Sequence, residues 1–113
     1  MESNVLVVSG ILSLYESIDD KIGFTGFLLE GTKVSVWIDD SNFTAARIQE
    51  LNNEEKVIYK GHYSNAVIAV WNTKVALEMS VGSKIKIGVP FSAVGEFTVD
   101  KVILRPQKGV FED

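Results

Sequence analysis

Between Gly31 and Asn52 the chain changes its period, and this limits its folds more than any other feature. Val34, Val36 and Ile38 fall on one face of an alternating segment, with Lys33, Ser35 and Trp37 on the other. After Asp39, Asp40 and Ser41 the spacing changes. Thr44, Ile48 and Leu51 share one face at helical spacing, with Phe43 and Ala45 at its edges. The pattern predicts a strand that runs into an α-helix over about residues 42–52. Asp40 or Ser41 supplies the N-cap, Asp39 and Asp40 face the positive end of the helix dipole, and Asn52-Asn53 ends it.

The rest of the chain reads as β. Val5 to Tyr15 is a long strand with Gly10 at its centre, where a missing side chain permits a bulge or a sharp coil. Ile22 to Glu30 is a second strand, and the turn Glu30-Gly31-Thr32 predicts that it forms a hairpin with Lys33–Ile38. Lys56–Tyr63 carries Val57, Ile58 and Tyr59. Ala66–Trp71 (AVIAVW) is apolar on both faces, as a strand covered on two sides or at a subunit contact would be. Thr73–Val81 fits strand or helix. Lys84 and Lys86 alternate with Ile85, Ile87 and Val89 before Pro90, and Glu96–Leu104 forms the last strand.

The length of 113 residues suits one domain, read as residues 1–106 followed by a short flexible acidic tail over 107–113. There is no Cys, which excludes disulfides and thiolate metal sites. The acidic start MESNVLVVSG reads as the first strand rather than a secretory signal, and no apolar run approaches the ~20 residues of a membrane-spanning helix. The expectation is an intracellular, soluble protein with no membrane partner. The net charge of −4 averages two unlike parts: ten acids against three bases in residues 1–55, and eight bases against five acids in residues 56–113. Such asymmetry can put a positive face on an acidic protein, or reflect solvated strand faces that happen to carry Lys.

Many short strands around one helix are most economically a small, partly closed β-barrel, because closure removes exposed edges. The order of strands and helix is that of the OB-fold. The segment AVIAVWN (66–72) with VGSKIKIG (81–88) and FTVDKVILRP (97–106) resembles the second half of a replication-protein-A-type OB domain. The run KVSVWIDD, the helix, EKVIYKGHYS and NAVIAVWN can be read the same way. In the first register residues 4–73 form the five strands and the remainder is an added hairpin. In the second, residues 40–63 are an insertion. The first is preferred, since its helix is better patterned. The chain thus resembles OB-fold single-stranded nucleic-acid-binding proteins of replication-protein-A-like, phage or archaeal type.

Catalysis finds little support. His62 is the only histidine, Asp19-Asp20 and Asp39-Asp40 read as turn and cap residues, and neither GxGxxG nor GxxxxGK[ST] occurs. No metal and no cofactor are expected. Binding is better supported, because single-stranded nucleic acid needs exposed rings for its bases, each worth about 1–3 kcal/mol, and cations for its phosphates. Trp37 and Lys33 have the outward parity, as do Lys84 and Lys86. Phe27, Tyr59, Lys60, Tyr63 and Trp71 complete the candidate binding set. For each ring the competing reading is structural, as partial burial under a loop or an interface.

The resemblance implies a non-catalytic single-stranded DNA-binding protein acting by stacking and phosphate contacts, with DNA favoured over RNA. Of its tail only the short stretch Phe111-Glu112-Asp113 resembles the acidic, aromatic-containing tips of such proteins, and a frayed polar terminus is the preferred reading of it. The alternative is a β-barrel interaction module or structural subunit of a larger assembly, possibly viral, self-associating through Ala66–Trp71.

Overall fold

In the computed structural model, which describes residues 5–16, 26–37, 43–71, 79–89 and 92–104, eight strands follow one another. They are β1 (Val5–Leu14), β2 (Phe27–Leu29), β3 (Lys33–Trp37), β4 (Phe43–Leu51), β5 (Val57–Tyr59), β6 (Tyr63–Trp71), β7 (Lys84–Val89) and β8 (Ser92–Leu104). Six of them close an antiparallel barrel in the order β1-β6-β4-β3-β7-β8, and β2 and β5 pair as a separate two-stranded ribbon. The fold is therefore mainly β, as expected, and its barrel is closed where partial closure was expected. No helix occurs among the described residues, and none there is long and apolar enough to cross a membrane.

Alternation builds the barrel. Leu6, Val8, Leu12 and Leu14 of β1 point inward, as do Val34 and Val36, Ala46 and Ile48, Ala66, Ile68 and Val70, and Ile85 and Ile87. Phe97, fully buried, is the largest side chain of this core. Burial of each Val, Leu, Ile or Phe among them contributes roughly 1.5–3 kcal/mol. Strand β1 is the hinge of the closure: it pairs with β6 along Val5–Ser13 and with β8 along Val7–Leu14. The β1–β8 register shifts between Ser9 and Gly10, so the expected irregularity falls at the glycine. A Cβ on Gly10 would collide with the Thr98 carbonyl and stand 2.9 Å from the Phe97 ring, so strand and ring approach closely only because it is absent.

The helix expected over residues 42–52 is replaced by β4. Its inward residues are Thr44, Ala46 and Ile48, and then the register with β6 shifts between Ile48 and Glu50. That bulge brings Leu51 back to the inner face three residues after Ile48. Thr44, Ile48 and Leu51 do share one face, but the spacing is made by a bulged strand and not by a helical turn. The turn before β3 satisfies the bulge: Gly31 N–H donates to the Ile48 carbonyl (2.7 Å), and Glu30 Oε2 accepts the Leu51 N–H (3.0 Å).

The hairpin expected between residues 22–30 and 33–38 is also corrected, since β2 pairs with β5 and β3 pairs with β4 and β7. Nor is the C-terminal hairpin an addition to a barrel of residues 4–73. Strands β7 and β8 are barrel staves, and without them β1 and β3 would have open edges. The ribbon has a different task. Leu28 and Ile58 belong to the barrel's own core, at the end where β1 and β4 finish and β3 and β6 begin. The ribbon therefore covers that end of the barrel.

One device enters the barrel twice. Leu29-Glu30-Gly31-Thr32 and Tyr59-Lys60-Gly61-His62 each close with a bond from the fourth residue's N–H to the first carbonyl, 3.1 and 3.0 Å. Gly31 and Gly61 take φ of 92° and 80°, which favours glycine. Each turn passes the chain from ribbon to stave.

Candidate nucleic-acid interface

Strands β6, β4, β3 and β7 lie side by side, and their outward residues make one continuous face. On β3 these are Lys33, Ser35 and Trp37, on β4 Phe43, Ala45 and Arg47, on β6 Ala69 and Trp71, and on β7 Lys84, Lys86 and Gly88. The outward parity expected of Trp37, Lys33, Lys84 and Lys86 is observed.

The register then fixes neighbours. Trp37 stands opposite Phe43 on one side and Lys86 on the other. The Trp37 and Phe43 ring centroids are 5.9 Å apart and tilted by 39°, within the range of favourable aromatic pairs. Trp37 is half-buried because its ring lies across β7 at Gly88. A Cβ there would come within 2.5 Å of the indole and would strike the Ser92 carbonyl. An aromatic ring over a strand glycine replaces the missing side chain and fixes the ring's orientation. Phe43 is 49% exposed beside it, so the pair offers one supported ring and one open ring.

Two strands away, Trp71 is also half-buried and outward. Arg47 sits over its ring, with Cζ 5.9 Å from the centroid. The Thr44 hydroxyl donates to the Trp71 carbonyl (2.6 Å), tying the end of β6 to β4. Between the tryptophans the outward residues of β4 and β3 are small, Ala45 and Ser35, which face each other in the ladder. Rings therefore stand on both sides of a shallow floor, roughly 10 Å wide at two strand spacings.

Arg47 lies directly opposite Lys33. A like-charged pair facing across a ladder is destabilising, and neither side chain forms an ion pair with a described carboxylate. This local cost is offset when an anion lies between the two cations. Lys86 faces Glu96 across β7 and β8, which tempers the charge at that border. Tyr15, near the same carboxylate, has its pKa raised first by burial and then by Glu96.

The nine residues singled out from the sequence thus separate. Trp37, Lys33, Trp71, Lys84 and Lys86 share the four-strand face. Phe27, Tyr59, Lys60 and Tyr63 lie instead on or beside the ribbon at the barrel end, all exposed. Arg47 and Phe43 were missed as site residues. The helical reading puts Phe43 at the edge of a buried side, whereas strand parity from Thr44, Ala46 and Ile48 puts Phe43 and Arg47 both outside. The outward apolar residues of Ala66–Trp71 are accounted for within the chain: Val67 is 9% exposed and Ala69 only 2%, the latter flanked by Val7 and Arg47 in the ladder. The acidic tail lies outside the described residues. No group of three or more His, Asp or Glu suited to a metal occurs among the described residues. Compared with known proteins, the chain matches no protein-family model and no curated protein sequence.

Proposed function

We propose that the face formed by β6, β4, β3 and β7 binds single-stranded nucleic acid, DNA in the first place, in the manner of an OB-like barrel. The observation that carries this reading is the facing pair Lys33 and Arg47 at one end of the Ser35–Ala45 floor, with Trp71 beneath Arg47 and the Trp37–Phe43 pair at the floor's other end. Bases stack on Phe43 with Trp37 behind it and on Trp71 at the other side, while the two cations neutralise phosphates at the end of the floor. Stacking is tolerant of sequence because every base presents a π-face, so the expected binding has little sequence preference. Rings and cations accomplish this without a reacting side chain, and the reading is of a binding protein rather than an enzyme.

The test is a titration of tryptophan fluorescence with oligo-dT over a series of salt concentrations. Both tryptophans of the chain lie on this face, so binding quenches the signal directly. Contact with two or three phosphates gives a log–log salt slope of about −1.4 to −2. Arg47→Glu puts a carboxylate beside Lys33 and should lower affinity by at least about tenfold, the loss of one to two charge-assisted contacts. Absence of quenching at low salt, or a slope near zero, contradicts the reading. The same titration with oligo-U compares RNA with DNA.

A further inference from the structure

The rings at the barrel end, separated from the cationic face, form a site of opposite character. An open groove of about 470 Å³ lies between the turn after β4 and the ribbon. Val57 and Ile58 line its apolar part, Tyr59, His62 and Tyr63 give it aromatic walls, and Glu54 and Glu55 bring two carboxylates. The Tyr59 ring is held in place. Its hydroxyl donates to Glu55 Oε2 (3.2 Å), its centroid is 6.3 Å from that of Phe27, and His62 meets it edge-on at 6.4 Å. The hydrogen bond to Glu55, more than that residue's charge, raises the Tyr59 pKa.

The turn that carries the acids is itself fixed. Asn53 Nδ2 donates to the Val57 carbonyl and to Ser64 Oγ, each at 3.1 Å, and the Val57 N–H returns a bond to Asn53 Oδ1. The one lysine of the turn, Lys56, donates to the Leu51 carbonyl (3.2 Å), so its charge is engaged at the end of β4 and it does not line the groove. What remains facing the groove is a pair of carboxylates beside electron-rich rings. Phosphates are repelled there. An ammonium or guanidinium is attracted twice, by the carboxylates and by the ring faces.

We infer that this groove is a docking site for a basic segment of a partner protein, whose Lys or Arg side chain lies against Tyr59 and Tyr63 and pairs with Glu54 or Glu55. The occupant follows from charge and shape. The groove is partly open to solvent and so can admit a side chain from outside, and its acidic and aromatic lining selects a cationic one. The inference does not depend on the nucleic-acid reading, because the two sites share no residue.

The test uses the full chain and a short fluorescein-labelled peptide of alternating Lys and Gly, followed by fluorescence anisotropy at low and moderate salt. The variants are Tyr63→Ala, Glu54→Gln and Asp100→Asn. Tyr63 is 76% exposed and can be truncated without opening the core, and a circular-dichroism melt verifies this. Asp100 on β8 is exposed and lies outside the groove, so its substitution removes the same unit charge elsewhere. Saturable binding is expected, weakened about fivefold by Tyr63→Ala and about fivefold by Glu54→Gln, and changed less than twofold by Asp100→Asn. The proposal is overturned if no saturable binding occurs, or if all charge removals act alike while Tyr63→Ala does nothing, which marks diffuse attraction to an acidic protein. It is overturned equally if Tyr63→Ala weakens oligo-dT binding but spares the peptide, or if Tyr63 proves to mediate self-association in sedimentation while the peptide stays unbound.

Discussion

Gly88 shows how a single missing side chain can organise a surface. The Trp37 indole occupies the space that a Cβ would need, and the Ser92 carbonyl closes that space from the other side. An added methyl must displace both a ring and backbone. Gly88→Ala is therefore expected to destabilise the barrel by about 1–3 kcal/mol, the usual range for overpacking, as read by urea denaturation. It should also free the Trp37 ring and red-shift its fluorescence. An unchanged midpoint and spectrum would mean that the ring is not seated on Gly88. Arg47 makes the complementary point about charge. Its guanidinium leans toward Trp71 and away from Lys33, as a cation does when its cross-strand neighbour is another cation.

Among the elements, the ribbon formed by β2 and β5 carries the most unexpected role. Three residues per strand make a marginal sheet by themselves, and its stability comes from Leu28 and Ile58 inserted into the barrel core. Ile58→Ala should cost about 2–5 kcal/mol in urea unfolding and should raise hydrogen exchange first in the ribbon and in the adjoining start of β6. A loss below about 1 kcal/mol would show that the ribbon lies on the barrel without closing it.

Strand β4 explains what could be read from the sequence and what could not. Staves β1, β3 and β7 were legible from alternation, β6 from its continuous apolar run and β8 over Glu96–Leu104, along with the outward parity of Lys33, Trp37, Lys84 and Lys86. In β4 the bulge after Ile48 imitates helical spacing, and Ala45, Ala46, Arg47, Gln49, Glu50 and Leu51 all favour helix locally. Closure overrides that preference, since β3 and β6 each need a partner between them and only residues 43–51 are placed to supply it. The pairing of β2 with β5 was not legible, because a tight turn with glycine looks the same whether it reverses a hairpin or passes the chain between layers. One trace of the second case was present. Glycine follows a short apolar run by the same interval at Gly31 and at Gly61, and a strand ending in Trp follows both.

At the scale of the whole molecule, the acidic and basic parts of the sequence do not become acidic and basic halves of the barrel. Lys33 and Arg47 come from the acid-rich part and Lys84 and Lys86 from the base-rich part, and the antiparallel order brings all four onto one face. The acids of the turn after β4 are carried to the barrel end. A chain of net charge −4 can in this way present a cationic ring-bearing face to nucleic acid and an acidic groove to a basic peptide. The chain has two tryptophans, and both lie on the proposed binding face. A nitrogen-15 correlation spectrum therefore reports on that face through two indole N–H signals alone. Titrated with oligo-dT at low salt, both indole signals should move together and saturate at one stoichiometry, while the lysine–glycine peptide leaves them in place. Two indole signals that stay fixed at saturating oligo-dT would contradict the account.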